Sequence, residues 1–204
     1  MQGCQFRIDD AGWAADAVHL PSPNFDQRGE GRPISLLVIH NISLPPGQFG
    51  GPYIADLFLN RLDYNADPYF AQLKTLRVSA HFLIRRDGEV VQFVSARDRA
   101  WHAGASNFCG QERCNDFSIG IELEGSDFLP FEDAQYASLV ALTAALKAAY
   151  PLQDVAGHEH IAPGRKTDPG PFFEWPRYET ACRRLLPRAE KSGMPNADLR
   201  FPTL

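Results

Sequence analysis

Apolar and polar positions recur along this chain with two periods, and each change of period marks an element. Residues 35–40 read Ser-Leu-Leu-Val-Ile-His, a continuous apolar run that predicts a strand buried on both faces and ending in a polar residue, His40. Leu44-Pro-Pro-Gly-Gln-Phe-Gly-Gly51 follows as a turn-rich loop, and Pro52 suits the first residue of a helix reaching about Arg61. Between Val78 and Val94 two apolar stretches flank Arg86-Asp87-Gly88-Glu89. Asp-Gly favours the primed turns of hairpins, so this stretch predicts one. Ser118 to Leu123 predicts another strand. Its alternation puts Ile119, Ile121 and Leu123 on one face, and Gly120, Glu122 and the following Glu124 on the other.

The clearest helical spacing runs from about Glu132 to Tyr150, through Tyr136, Leu139, Val140, Thr143, Leu146 and Tyr150, and Pro151 ends it. A short strand, Asp154 to Gly157, leads to His158. Ala162 to Pro171 is rich in Pro and Gly and reads as an irregular loop, and a last helix spans about Trp175 to Leu186. The first thirty or so residues are polar, with Pro21, Pro23 and Pro33, and are expected to wrap the surface. The segment after Pro187 reads as a loose polar tail. The order strand, helix, hairpin, strand, helix, strand, helix predicts an α/β fold with a mixed central sheet flanked by helices. The expected organisation is a single domain over residues 1–204, with its core at about 20–186.

Composition narrows the classes of partner. The chain has 204 residues, 44% of them apolar, enough for one substantial core. Its net charge of -5 argues against nucleic acid as the main partner, because a phosphate backbone rewards a basic face. A local basic pocket for a small anionic substrate remains compatible with it. The start, Met-Gln-Gly-Cys-Gln-Phe-Arg, lacks the basic and apolar regions of an export signal, and no run approaches the roughly 18 apolar residues of a membrane span. The expected location is therefore the cytosol, with no membrane partner. In that reducing compartment Cys4, Cys109, Cys114 and Cys182 are expected to be free thiols, and Cys109 and Cys114 are spaced too widely for a C-x2-C zinc knuckle.

The candidate chemistry starts from six histidines. His40 ends the most apolar strand and His158 follows the short stretch 155–157, and strand ends are where α/β folds collect functional side chains. Asp168 lies ten positions after His158. Two imidazoles and a carboxylate would leave a fourth zinc position open, as catalytic zinc sites require. Spacing alone is weak evidence, because the two histidines are far apart in sequence and capped or surface histidines with a loop aspartate fit it better. Glu122 sits in an otherwise apolar strand, so it is either solvent-facing with Glu124, paired, or poised as a base with a raised pKa. Lys166 shares a side with Asp168 if the loop is extended, where a cation could stabilise an oxyanion. Otherwise it is simply solvated.

Several segments together resemble one family. They are His40-Asn-Ile-Ser-Leu-Pro-Pro-Gly, Arg77-Val-Ser-Ala-His81, Trp101-His-Ala-Gly104, Cys114-Asn-Asp-Phe-Ser-Ile-Gly-Ile-Glu-Leu-Glu-Gly125, Gly157-His158 and Arg165-Lys-Thr-Asp-Pro-Gly170. In register, and from about residue 20 to 185, they resemble the type-2 N-acetylmuramoyl-L-alanine amidases, which share a fold with peptidoglycan-recognition proteins and T7-type lysozyme. The resemblance is nearest to the cytosolic branch that recycles anhydro-muropeptides. It implies zinc held by His40, His158 and Asp168, Glu122 as the catalytic carboxylate, and Lys166 as the carbonyl-polarising cation. Many relatives carry Cys where Asp168 stands. Some carry a Tyr just before the position of His81, where this chain has Ala80, and Glu122 is the substitute. The implied partner is a small muropeptide. Asn41, Arg77, Trp101, His102 and Arg113 are candidates for binding it, the arginines because a planar guanidinium matches a stem carboxylate. If residues 158–160 continue as a strand, His160 faces the same side as His158 and stands behind the metal. The competing functions are a muropeptide sensor without catalysis and an amidase of intact murein.

Overall fold

The apolar run at residues 35–40 forms an interior strand of a six-stranded mixed sheet in the computed structural model, which describes residues 6–29, 31–186 and 198–202. The strands are β1 (Val18–His19), β2 (Phe25–Asp26), β3 (Leu36–Ile42), β4 (Phe82–Ile84), β5 (Val90–Gln92), β6 (Arg99–Ala100), β7 (Asn107–Phe108), β8 (Gln111–Glu112), β9 (Ser118–Glu124) and β10 (Asp154–Gly157). The main sheet has the order β1-β5-β4-β9-β3-β10. All its pairs are parallel except β4 with β5, the predicted hairpin. Its turn closes with Gly88 at φ 88 and the Arg85 N–H donating to the Glu89 carbonyl at 2.9 Å. Two small antiparallel pairs, β2 with β6 and β7 with β8, lie outside it.

The helices are α1 (Tyr53–Phe58), α2 (Asp133–Ala149), α3 (His158–Ile161) and α4 (Trp175–Leu185). α1 is shorter than the expected reach to Arg61, because Asn60 adopts a left-handed backbone at φ 57 that stops it. α2 and α4 cover one face of the sheet. Leu37, Ile39, Ile119, Ile121 and Leu123 pack there with Leu139, Leu142, Leu146 and Tyr178. The Gln135 side-chain amide donates to the carbonyls of Ile84 and Glu124, tying α2 to two strands. The opposite face of β3 and β9 carries Leu36, Val38, His40, Ser118, Gly120, Glu122 and Glu124. The alternation read from the sequence is therefore realised, but the polar face does not meet water. Glu124 is 1% exposed.

Three expectations change. The N-terminal stretch does not merely wrap the surface: β1 pairs with β5 at the sheet edge, and Phe6 and Ala14 enter the core. Most of the expected tail, residues 187–197, lies outside the described residues, but 198–202 pack back onto the fold. The Val155 N–H donates to the Arg200 carbonyl at 2.8 Å, and Leu199 is buried. Backbone donors left open on the outer edge of β10 give that segment its place. Finally, residues 158–161 form a helical turn, not a strand, since the Ala162 N–H donates to the His158 carbonyl at 2.9 Å. Of the cysteines, Cys109 is exposed and Cys114 and Cys182 are buried, all as free thiols; Cys4 lies outside the described residues.

Candidate metal centre and active-site cleft

Parallel strands deliver their polar residues to one end of the sheet, and an open cleft of about 730 Å³ lies there. His40 does not end its strand, which runs on to Ile42, but it sits on β3 as the register partner of Glu122 on β9. β10 pairs with β3 so that Gly157 faces Ile39, and His158 opens α3 immediately after it. The irregular loop then brings back Asp168. His40 Nδ1 and His158 Nδ1 are 3.0 Å apart, and Asp168 Oδ2 lies 2.9 Å from the first and 3.0 Å from the second. Among the described residues this is the one group of histidine, cysteine and carboxylate side chains close enough to share a metal ion.

The donor set fits a metal. Two imidazole nitrogens and a carboxylate oxygen converge within 3.0 Å of one another, donor types and a spacing that suit a shared divalent cation. Burial pulls the His40 imidazole down to about 4, against the opposing pull of Asp168, so it is neutral and able to ligate at pH 7. Beside the trio, Glu122 Oε2 is buried and has no hydrogen-bond partner among the described residues. Burial pushes this carboxyl well above the ordinary range; the charge of Asp168 adds to the shift and Lys166 opposes it. An unpartnered buried carboxyl oxygen next to a metal set is suited to exchanging a proton with water.

The three candidate ligands are held from behind. His158 Nε2 lies 3.1 Å from the Ala103 carbonyl, which also accepts from Arg165 Nη2 at 2.8 Å. Asp127 accepts from Asn41 Nδ2 at 2.6 Å and from the Thr167 hydroxyl at 2.5 Å, joining β3 to the loop that carries Asp168. Asn41 Nδ2 also reaches the Pro169 carbonyl at 3.1 Å.

Of the residues expected at the site, His40, Asn41, Trp101, His102, Glu122, His158, Lys166 and Asp168 line the cleft. Arg77 and Arg113 do not. Arg77 is exposed and donates to the carbonyls of Lys74 and Leu76, and Arg113 sits 3.2 Å from Asp116 with its side chain 71% exposed. His160 is not behind the metal set. Two positions on a helix point about 200° apart, so its Nδ1 instead accepts the Gly157 N–H at 2.8 Å and its ring meets Trp175 edge-on. Sequence reasoning missed Asp127, Thr167, Arg165 and the Ala103 carbonyl. Only Gly120 carried a readable signal, since an isolated glycine in a strand marks close approach of another group. A Cβ there would lie 2.4 Å from His102 Cγ.

Known proteins resemble this chain closely. The family model for N-acetylmuramoyl-L-alanine amidase matches residues 30–171. The 1,6-anhydro-N-acetylmuramyl-L-alanine amidase AmpD of Citrobacter freundii is 60% identical over 171 residues, covering 83% of this chain and 91% of that protein. The crystal structure of a selenomethionine derivative of AmpD is 58% identical with a TM-score of 0.81, covering 84% of this chain and 97% of its own. The amidase AmiD from E. coli was solved with anhydro-N-acetylmuramic acid-L-Ala-D-gamma-Glu-L-Lys. It is 30% identical with a TM-score of 0.55, covering 85% of this chain and 65% of its own. These likenesses agree with the mixed α/β amidase fold expected from the sequence.

Proposed function

The chain belongs to the N-acetylmuramoyl-L-alanine amidase family, and from that premise we propose that it is a zinc enzyme of muropeptide recycling. Its reaction is hydrolysis of the amide between the lactyl group of 1,6-anhydro-N-acetylmuramic acid and the L-alanine of the stem peptide. The observation that carries this reading is the convergence of His40, His158 and Asp168 beside the unpartnered Oε2 of Glu122. Two imidazole nitrogens and one carboxylate oxygen are a ligand set zinc accepts with a fourth position free.

Zinc held by His40, His158 and Asp168 would supply Lewis acidity, which lowers the pKa of water from about 16 towards about 7. Glu122, made more basic by its burial, takes as carboxylate a proton from the water that adds to the lactyl carbonyl carbon. Lys166, on the cleft wall, offers its charge to the oxyanion that develops there. Glu122 then returns the proton to the alanine nitrogen as the C–N bond breaks. One carboxyl serves both transfers, so no acyl-enzyme is needed. Trp101 gives the cleft a flat apolar surface for sugar or peptide. The reaction is assigned to the cytosol; no helix among the described residues is long and apolar enough to cross a membrane, and cell fractionation checks the assignment.

Purified chain should carry about one zinc, and should release the free anhydro-sugar acid and the intact stem peptide from a defined anhydro-muropeptide. Chelation should stop product formation and zinc should restore it. Undiminished turnover by metal-free protein would sink the mechanism. Binding without products would reveal a sensor, and equal turnover of intact murein would broaden the substrate.

A further inference from the structure

The Ser118 hydroxyl lies 2.6 Å from the carbonyl oxygen of Cys114, which has no hydrogen to give, so the serine proton points there. Ser118 Oγ is then free to accept, and His102 Nε2 stands 3.2 Å away as its donor. A neutral imidazole carries one N–H, which leaves His102 Nδ1 as an acceptor. That atom faces His40 Nε2 at 3.0 Å. His40 must therefore hold its proton on Nε2, with a bare lone pair on Nδ1, the atom that meets His158 and Asp168. We propose that His102 is a positioning residue that fixes His40 in its ligating tautomer, through a directed relay ending at the Cys114 carbonyl. This rests on the reading of His40 as a metal ligand. His102 lines the cleft, and both its ring nitrogens are engaged within the protein.

The ring is seated for this task. It packs where a side chain on Gly120 would stand, and Asn115 Oδ1 accepts the backbone N–H groups of His102 and Ala103 at 3.2 and 2.8 Å. Without the relay the preference at His40 would reverse. Asp168 Oδ2, 2.9 Å from His40 Nδ1, would draw the proton onto that atom and block it as a ligand.

The contrast makes the test sharp. Long-range ¹H–¹⁵N correlation on the labelled, metal-free wild-type chain reads the His40 tautomer directly, and the Nε2–H form is expected. Competition with a chromophoric chelator then gives zinc affinity. His102→Leu should weaken it about 10–100-fold, and His102→Gln, which can still accept and donate, should recover most of it. With zinc saturating, KM for an anhydro-muropeptide should be unchanged in both. Ser118→Ala, which leaves the ring in place, should weaken zinc by a smaller factor, and it carries the test if His102→Leu does not fold. A wild-type His40 protonated on Nδ1 overturns the proposal, as does wild-type zinc affinity in His102→Leu with a raised KM. Failure of wild-type chain to bind zinc would instead count against the enzymatic reading, while the tautomer measurement still decides the relay.

Discussion

Glu124 accepts the backbone N–H groups of Gly50 at 2.7 Å and Arg86 at 3.2 Å, and Arg85 Nη1 lies 3.7 Å from it. Two residues earlier on the same face, Glu122 has an oxygen with no partner. Glu122→Gln should therefore keep zinc and lose about 10²–10⁴-fold in turnover, whereas Glu124→Gln should act on the 44–51 loop and the hairpin and leave turnover within a few-fold. The reverse ranking in steady-state assays would refute the assignment. The same carboxyl sets a pH dependence. Its folded pKa is raised, so the metal-free folded chain holds a proton that the unfolded chain has released. Stability then falls as pH rises from the ordinary glutamate value of 4.5 through the folded value, and levels off above it. Glu122→Gln should flatten that limb, read as urea midpoints at pH 5 and pH 8. Alternation in the sequence put both glutamates on one face but could not separate them, because the groups that satisfy Glu124 come from segments at residues 50 and 85–86.

At the scale of elements, the loop between α3 and α4 was recognisable only as irregular. Its course is set by contacts far along the chain. Asp127 holds Thr167 and Asn41, and a Cβ on Gly170, at φ 82, would lie 2.6 Å from Asp127 Oδ1. Asp127→Ala should release the Asp168 loop and weaken zinc about 10–100-fold, measured by chelator competition. Thr167→Val, which removes one of the two bonds, should cost less. Unchanged affinity in both would show that Asp168 needs no bracing. The strands and long helices were legible because their apolar periods are local. The turn at residues 158–161 was not, since the Glu159 N–H is drawn to the Asp168 carbonyl at 2.9 Å, a partner no local pattern announces.

For the whole molecule, element order was readable and sheet order was not. Both ends of the sheet depend on pairings that short periodicities do not encode: β1 on β5, and residues 198–202 along β10. The second of these supports the strand that leads into His158. Leu199 enters the main core, and Phe201 meets Tyr178 edge-on with ring centroids 5.5 Å apart. Leu199→Ala should lower the unfolding free energy by about 2–5 kcal/mol, read from denaturant titrations, while turnover per folded molecule stays near wild type. A variant as stable as wild type would show that the segment is not held by its leucine.

The register that pairs His40 with Glu122 has an evolutionary consequence. Neighbouring strands stand about 4.8 Å apart in any sheet, a spacing kept by backbone hydrogen bonds. Point substitutions have little purchase on it. Much of the cleft wall comes from elsewhere, from the stretches at 42–47, 69–79 and 126–129. Inheritance is thus split: a lineage can rewrite the cleft wall loop by loop and pass the juxtaposition of His40 and Glu122 on intact.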